Sequence, residues 1–265
     1  MIDVYRVKKQ YLGKSVLNQV SFAVQPGECF GIIGPNGSGK STLLRMLSGL
    51  ENADEGTIHV AGRSVYSYKH RELARWMAVL QQESLQPNGF TVREVVAMGR
   101  YPFQNWLGEE ISGRTVPALI DSVLECMGLM ELAHRPVEQL SGGERQRTAL
   151  AKAMAQQPRV LLMDEPTTYL DIGYQMQWMN LIHHWQKNSE LTVVAVLHDL
   201  NLAAIYCDRL MLLDEGEIVQ IGTPTEVITE ARIRHVYGTE ASVMRHPSCD
   251  VPQLLLNPTC GNQRL

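Results

Sequence analysis

The residues with the clearest chemistry form a glycine-rich stretch, GPNGSGKS, that runs from Gly34 to Ser41. It matches the pattern G-x-x-x-x-G-K-[ST] and stands between the apolar run ECFGIIG and the helical pattern STLLRMLSGL, the order of strand, loop and helix that a phosphate-binding loop requires. Glycines let successive backbone N–H groups curl around phosphates, Lys40 can reach the terminal phosphates, and the Ser41 hydroxyl can ligate Mg²⁺. We therefore predict phosphate binding by Gly34, Pro35, Asn36, Gly37, Ser38, Gly39, Lys40 and Ser41.

Two adjacent carboxylates, Asp164 and Glu165, end the apolar run VLLMDE. Neighbouring side chains on a strand point in opposite directions, so at the strand end one carboxylate can bind a metal ion while the other positions a water. Alone, the pair indicates a solvated strand end. Together with the phosphate loop, it predicts Asp164 as a Mg²⁺ ligand and Glu165 as the general base for the attacking water. His198, at the end of the next apolar strand, is placed to hydrogen-bond the terminal phosphate.

A third segment, LSGGERQR at residues 140–147, places two glycines in the first turn of a predicted helix. Ser141 and Glu144 have the spacing of a capping box, so the helix should start at Ser141. Gly142 and Gly143 then leave the N–H groups and positive dipole end of this helix without side chains that would block an anion. From these residues alone, a plain capped helix and a phosphate site are equally good interpretations.

Composition narrows the possible classes of protein. The chain has 265 residues, of which 45% are hydrophobic and 20% charged, and this is enough to bury a substantial core. A formal net charge of -4 argues against nucleic acid as the main partner. The five cysteines are scattered and lack metal-site spacing, which favours a reducing cytosol. No apolar run is long enough to cross a bilayer, so we expect any contact with a membrane to be made through another protein.

Hydrophobic periodicity predicts an α/β fold. Residues 2–24 are predicted as antiparallel strands, and further short strands are predicted around a turn at Ala61 and Gly62. RWMAVLQQ should be a strand that ends at Gln81 and Gln82. VLLMDEP and LTVVAVLHD are predicted as parallel strands joined by a helix, and RLMLLDEGEIVQIG as a hairpin that turns at Glu215 and Gly216.

Helical patterns dominate from about residue 84 to 157, including TVREVVAMGR with a capping box at Thr91 and Glu94. We interpret this region as an inserted α-helical lobe. The expected organisation is a domain over residues 1–238, with a mostly parallel core sheet and an antiparallel β subdomain, followed by a tail over 239–265 whose structure the pattern does not predict.

The ordered set of motifs resembles the nucleotide-binding subunit of an ATP-binding cassette (ABC) transporter. The set comprises Tyr11, the loop GPNGSGKST with Thr42, a glutamine loop with Gln82, LSGGERQ, VLLMDEP, TTYLD with Asp171, and His198 in LHD. The resemblance implies a P-loop ATP-binding cassette that uses ATP and Mg²⁺. It implies that Tyr11 stacks on adenine and Thr42 and Asp171 contact the nucleotide, while Gln82 serves both catalysis and the metal. Tyr169 departs from the more usual small or polar residue, so no role is carried over to it.

The resemblance also implies partners. In the family, the signature segment (residues 140–147 here) faces ATP bound by a second cassette, so Ser141, Gly142 and Gly143 would complete the site of a partner. One chain has one phosphate loop and one signature segment, and a head-to-tail ATP-sandwich dimer would close both sites. Two membrane-spanning permease subunits and, indirectly, an external substrate-binding protein are the other implied partners, with this chain at the cytoplasmic face of the inner membrane.

GFTVREVVAMGRYPF followed by LG, together with AVLHDLNLAA, is similar to ATPases of importers for ferric siderophores, haem and vitamin B12, most of all the siderophore branch. The family's permease docks beside the glutamine loop, which points to Gln82 and residues 83–100, with Arg93 and Arg100 expected to be exposed. The aromatic residues Tyr101, Phe103 and Trp106 could belong to this contact or pack the lobe.

Two alternatives stay open. The first is a soluble cassette without a transport role, such as the ATPase of iron-sulfur cluster assembly, which is also a single cassette of this size. The second concerns the tail, where His246, Cys249 and Cys260 could serve a metal or redox role or be ordinary exposed residues.

Overall fold

The computed structural model describes residues 1–80, 89–111, 115–167 and 171–257 of the chain. By compactness the chain divides into two units. The first unit comprises Met1–Tyr66 and Met179–Leu265, and the second comprises Ser67–Trp178. Gln82 and residues 168–170, which the sequence analysis singled out, lie outside the described residues.

The described strands and helices follow one another in an α/β order. The strands are β1 (Ile2–Tyr11), β2 (Lys14–Val24), β3 (Cys29–Ile33), β4 (Glu55–Val60), β5 (Arg63–Ser64), β6 (Met77–Leu80), β7 (Val160–Asp164), β8 (Thr192–Val196), β9 (Arg209–Asp214), β10 (Glu217–Gly222), β11 (Ala241–Arg245) and β12 (Pro252–Leu256). The helices are α1 (Lys40–Leu47), α2 (His70–Trp76), α3 (Val92–Ala97), α4 (Val116–Cys126), α5 (Gly142–Gln156), α6 (Ile172–Ser189), α7 (Leu200–Tyr206), α8 (Pro224–Val227) and α9 (Glu230–Tyr237). Within the described ranges, no helix is both long enough and apolar enough to span a lipid bilayer.

The first unit contains the predicted antiparallel sheet, in the order β2-β1-β4-β5. Alternation along β1 buries Ile2 and Val4, and an irregularity in the strand, with Arg6 at φ 47°, precedes the buried Val7. The turn between β4 and β5 uses Ala61 at φ 53° and Gly62 at φ 78°, the left-handed pair that a two-residue hairpin turn favours. The prediction of antiparallel strands and of this turn is confirmed.

The second sheet of the first unit positions the phosphate loop. β3 is buried along its whole length and pairs in parallel with β8 on one side and β9 on the other, while β10 pairs antiparallel with β9. Ile32 lies opposite Val196 in this register, so the residues that follow β3 and β8 leave the sheet at the same edge. The sheet therefore brings the start of the phosphate loop and His198 to one edge, where ligands bind in open α/β sheets.

The second unit combines the parallel pair β6 and β7 with α2 to α5 and the first turns of α6. The predicted strand RWMAVLQQ is partly wrong, because Arg75 and Trp76 end α2 and the chain becomes extended only at Met77. Its predicted end at Gln81 and Gln82 lies outside the described residues. The capping box predicted at Thr91 and Glu94 is confirmed at the start of α3.

Arg100 is buried, which corrects the expectation that it is exposed. Its side chain is 1% exposed and lies in a short 3-10 segment after α3. Nη2 donates to Glu110 Oε1 at 2.9 Å, Nη1 donates to the Ala155 carbonyl at 3.0 Å, and the guanidinium carbon lies 3.9 Å from the Phe103 ring centroid. An opposite charge, a carbonyl acceptor and an aromatic face together offset the cost of desolvating the guanidinium.

The tail contains structure that periodicity did not reveal. β11 and β12 form an antiparallel hairpin, with Ala241 opposite Leu256 and Arg245 opposite Pro252. The Asn201 side chain, at the start of α7, accepts from Leu254 N at 2.7 Å and donates to Leu254 O at 3.3 Å. These two hydrogen bonds attach the hairpin to α7.

Candidate functional site

The phosphate loop folds around its own lysine. Lys40 Nζ donates to the carbonyls of Gly34 at 2.9 Å and Pro35 at 2.8 Å, and the lysine is buried. Gly34 adopts φ 150°, and a Cβ there would overlap the carbonyl oxygen of Leu213. Gly39, at φ 101°, starts α1 and lies against Val16 O. The spacing that defines the motif is thus required by backbone conformation and close packing.

This loop has the features that suit a bound phosphate. Ser38 Oγ is buried and has no hydrogen-bond partner within the described residues. Asn36 and Gly37 are exposed, and a Cβ on Gly37 would meet no atom within 4 Å, so the loop is open at this point. Since a buried hydroxyl without a partner costs free energy, an anion that accepts from Ser38 would relieve that cost. The donor set therefore fits the phosphates of a nucleotide.

His198 and Asp199 lie at the same edge of the sheet as the phosphate loop. Asp199 caps α7 by accepting from Asn201 N at 2.8 Å and Leu202 N at 3.0 Å, whereas His198 is exposed. A cavity of about 310 Å³ lies beside them. It is lined by His198, Asp199, Leu200, Asn201, Ile233, Tyr237, Thr239, Leu254 and Leu256.

Tyr237, at the end of α9, links this cavity to the phosphate loop. Burial, followed by the nearby Asp214 carboxylate, raises the pKa of the Tyr237 phenol to about 12, and hydrogen bonding with the Gly34 backbone offsets part of the rise. A neutral phenol is thus held against the first glycine of the loop. No motif marked this residue in the sequence.

Tyr11 lies beside the loop at the end of β1. Its hydroxyl donates to Glu51 Oε1, its side chain is also within hydrogen-bonding reach of Thr42, and Lys9 Nζ lies 5.4 Å from its ring centroid. Partial desolvation and the Glu51 carboxylate raise the pKa of the phenol. These contacts hold the half-exposed ring near the end of the phosphate loop, where adenine stacking stays a prediction.

In the second unit, β7 delivers the predicted carboxylates. Asp164 is the last residue of β7, and Glu165 follows with a left-handed backbone at φ 51°. Such a conformation costs a residue with a Cβ roughly 1 kcal/mol or more, so the chain stores strain where the general base is predicted. Among the described residues, no group of three His, Cys, Asp or Glu side chains has the arrangement of a metal site. The predicted Mg²⁺ donors, Ser41 and Asp164, are hard oxygen ligands of the kind that Mg²⁺ prefers.

The start of α5 confirms the predicted capping box. Ser141 Oγ accepts from Glu144 N at 3.3 Å, and Glu144 Oε2 accepts from Ser141 N at 2.7 Å. Hydrogen bonds from the Ser141 backbone and hydroxyl lower the pKa of Glu144. Ser141 and Gly142 are exposed, and a Cβ on Gly142 would meet nothing within 4 Å, whereas one on Gly143 would lie 3.2 Å from Tyr174 Cε1. Gly142 is therefore open to an approaching group, whereas Gly143 allows the close packing of Tyr174.

Asp171 immediately precedes α6, and its Oδ1 accepts from Tyr174 N at 2.9 Å. No sequence motif marks Tyr174, although its position three residues after Asp171 is a local signal that points to it. Arg93, which was expected to be exposed, is only partly so: its side chain is 32% exposed and pairs with Asp121. In the tail, Cys249 Sγ lies 3.1 Å from His246 Nδ1, while Cys260 is outside the described residues.

The aromatic residues after Arg100 divide into two groups. Phe103 packs against the Arg100 guanidinium, whereas Tyr101 is exposed and Trp106 is 87% exposed. Trp106 and Leu107, which we call the apolar tip, lie within an ordered turn. Asn105 Oδ1 accepts from Leu107 N at 2.9 Å and from Glu109 N at 3.0 Å.

The chain is similar to several known proteins. The family model described as ABC transporter matches residues 17–168. The uncharacterized ABC transporter ATP-binding protein YvrA of Bacillus subtilis is 43% identical over 94% of this chain and 56% of its own length. The cobalamin import ATP-binding protein BtuD of Halobacterium salinarum is 37% identical over 93% of this chain and 61% of its own length. The hemin import ATP-binding protein HmuV of Bordetella avium is 41% identical over 88% of this chain and 90% of its own.

The chain thus spans less than two thirds of the first two relatives. Among solved structures, cbiO1 of Clostridium perfringens, part of the complex cbiONQ, matches at 26% identity over 88% of this chain and 94% of its own, with a TM-score of 0.75. A dimeric post-hydrolysis state of the cassette MJ0796, bound to ADP and Pi, matches at 28% identity over 84% and 99%, with a TM-score of 0.71. The chain belongs to the ABC transporter family.

Proposed function

We propose that this chain is an ATP-hydrolysing subunit that powers an ABC importer. The observation that best supports ATP hydrolysis is the geometry of the phosphate loop. The buried Ser38 hydroxyl has no hydrogen-bond partner among the described residues, and the Lys40 ammonium donates to the carbonyls of Gly34 and Pro35. Lys40 can exchange these carbonyls for phosphate oxygens because the loop is open at Gly37. Family membership adds that the loop belongs to a nucleotide-binding cassette.

In this proposal Tyr11, Thr42 and the residues from Gly34 to Ser41 hold ATP, with Asp171 at the nucleotide of the dimer. Ser41, Asp164 and Gln82 supply oxygen ligands for Mg²⁺, whose charge would neutralise the phosphates. Glu165 takes a proton from the attacking water, and His198 donates to the terminal phosphate.

A second copy completes each site. Ser141, Gly142 and Gly143 would present the start of α5 to ATP held by the partner, and the open space at Gly142 suits this role. The dimeric MJ0796 cassette bound to ADP and Pi supports a dimer. Hydrolysis then removes the contacts of the terminal phosphate and loosens the pair.

A substitution at Glu165 tests the enzymatic part. Glu165→Gln keeps the shape of the side chain but removes the base, so we expect MgATP binding and dimerisation to persist while turnover falls by about 10²- to 10⁴-fold. The matched control is Glu190→Gln, since Glu190 also has a left-handed backbone at φ 53°. Steady hydrolysis by Glu165→Gln at the wild-type rate would remove Glu165 from this role.

For the cargo, we propose a ferric siderophore, with haem and vitamin B12 as the alternatives. The siderophore proposal rests on the similarity of residues 89–103 and 195–204 to that branch. The Bordetella avium relative is a hemin import protein and the Halobacterium relative is a cobalamin import protein. These names support an importer but do not favour a single cargo. The permease and an external binding protein select the cargo, and the ATPase sits at the cytoplasmic face of the membrane.

Trapping the complex tests the importer against the soluble alternative. Tagged Glu165→Gln is produced in the native host, held with MgATP, solubilised in mild detergent and purified with its partners. Equal amounts of a polytopic membrane protein are expected, and a soluble partner alone would favour an assembly-type ATPase. Uptake of a radioiron siderophore, haemin and cyanocobalamin then identifies the cargo, measured in proteoliposomes that hold the same complex with wild-type Glu165 and are supplied with ATP and the external binding protein.

We place part of the permease contact at the apolar tip, close in sequence to the docking residues 83–100. An exposed tryptophan on an ordered turn is typical of interface residues. Leu107→Ser should weaken permease association about tenfold or more and leave the ATPase of the isolated chain unchanged. Leu50→Ser is the control, because Leu50 is 58% exposed and Leu107 60%. Equal association of both variants would exclude the tip.

A further inference from the structure

The first turn of α6 lies against the start of α5, which carries the signature glycines Gly142 and Gly143. A Cβ on Gly143 would lie 3.2 Å from Cε1, 3.5 Å from Cδ1 and 3.8 Å from Cζ of Tyr174, so the phenol ring covers this side of the helix start. At Gly142 a Cβ would meet no atom within 4 Å. The ring thus covers one glycine and leaves the other accessible.

Two hydrogen bonds fix the first turn of α6. Tyr174 N donates to Asp171 Oδ1 at 2.9 Å, and Gln175 Nε2 donates to Thr167 O at 3.3 Å. Thr167 is two residues after Glu165. The position of the Tyr174 ring is therefore tied to the turn that follows the predicted general base.

Burial does not explain this tyrosine. Tyr174 is 53% exposed and its neighbour Ile172 is more exposed still, so the turn is not part of a hydrophobic core. An aromatic ring restricts motion at little entropic cost, because it has only two side-chain torsions. Glycines at the start of a helix need such a restriction, since they lack side chains that would hold the backbone.

We propose that Tyr174 is a positioning residue that holds Ser141, Gly142 and Gly143 in the orientation required by ATP on a second copy of this chain. The inference rests on the proposed head-to-tail dimer. In this inference Tyr174 acts through Gly143, within the second unit, whereas the phosphate loop belongs to the first. Loss of the ring should therefore impair the contribution to the partner and spare nucleotide binding by the chain itself.

The test uses the Glu165→Gln background, in which hydrolysis cannot obscure dimerisation. Tyr174→Ala should weaken ATP-driven dimerisation, measured by sedimentation, about tenfold, which corresponds to about 1.4 kcal/mol. Binding of a fluorescent ATP analogue to the monomer should stay within about twofold. Tyr174→Phe keeps the ring and should restore dimerisation, and Tyr5→Ala, which removes a tyrosine that is 59% exposed in the first unit, should have no effect.

The outcomes separate the inference from the proposed function. If Glu165→Gln itself stays monomeric with ATP, the proposed dimer fails. If it dimerises and Tyr174→Ala dimerises equally well, or if Tyr174→Phe fails to restore dimerisation, only the inference is overturned. Loss of monomer nucleotide binding in Tyr174→Ala would also overturn it, because the ring would then support the fold in general.

Discussion

Arg100 offers a sharp test of the structure, because its sequence context suggests an exposed cation while the fold buries it. Arg100→Ala removes the guanidinium that pairs with Glu110, donates to the Ala155 carbonyl and lies over the Phe103 ring. Removing one partner of a buried ion pair costs about 3–5 kcal/mol, because the other charge stays desolvated. With a urea m value of about 3 kcal/mol/M, the unfolding midpoint should fall by about 1–1.7 M.

Arg93→Ala is the matched control, since Arg93 also pairs with a carboxylate but its side chain is 32% exposed. Exposed pairs contribute about 0–1 kcal/mol, so its midpoint should shift by less than about 0.3 M. Urea unfolding is followed by circular dichroism and by tryptophan fluorescence, because two units can unfold in separate steps. Removal of both partners, in Arg100→Ala with Glu110→Ala, should recover part of the loss. Equal small shifts for Arg93→Ala and Arg100→Ala would refute a buried ion pair.

Two further predictions concern the glycine-rich segments. Glu144→Gln should lower stability at neutral pH. The pKa of Glu144 is lowered on folding, so its charge stabilises the folded chain fully above the ordinary value of 4.5. The difference in unfolding free energy between the variant and the wild type should therefore vanish as the pH falls through the lowered pKa. A difference that stays constant from neutral to acid pH would contradict this. Gly34→Ala should lower the unfolding free energy by more than about 1 kcal/mol and abolish ATP binding, because the new Cβ overlaps Leu213 O. The control is Gly62→Ala, since Gly62 has φ 78° and open space around it. This variant should lose less unfolding free energy and bind ATP normally in a titration.

The sequence predicts the parts of this fold that depend on local signals. The capping boxes at Thr91 and Ser141 were readable because side chain and backbone partner are three residues apart. Likewise, the buried run of β3 and a turn at Ala61 and Gly62 could be predicted locally, whereas the left-handed conformation of Ala61 could not, because a residue with a Cβ disfavours it. These signals place the phosphate loop and the start of α5 without any knowledge of tertiary contacts.

Contacts between distant residues could not be predicted in this way. Arg100 is buried because Glu110 and the carbonyl of Ala155, 55 residues away, satisfy it. Tyr174 and Gly143 are also far apart in sequence, and only the fold shows which of the two signature glycines is covered. The attachment of the β11–β12 hairpin could not be predicted either, because its hydrogen bonds join residues that are distant in sequence: Asn201 with Leu254, and Glu230 with Val243.

That amide has a practical consequence for handling this protein in the laboratory. Asn201 follows His198 by three residues, and both of its hydrogen bonds go to the backbone of Leu254. The motifs suggest a shortened chain that stops at Gly238. Such a chain would lack both hydrogen-bond partners of the Asn201 amide and would expose one wall of the cavity beside His198. The shortened chain is therefore a poor reference for the kinetics of a chain that keeps the hairpin.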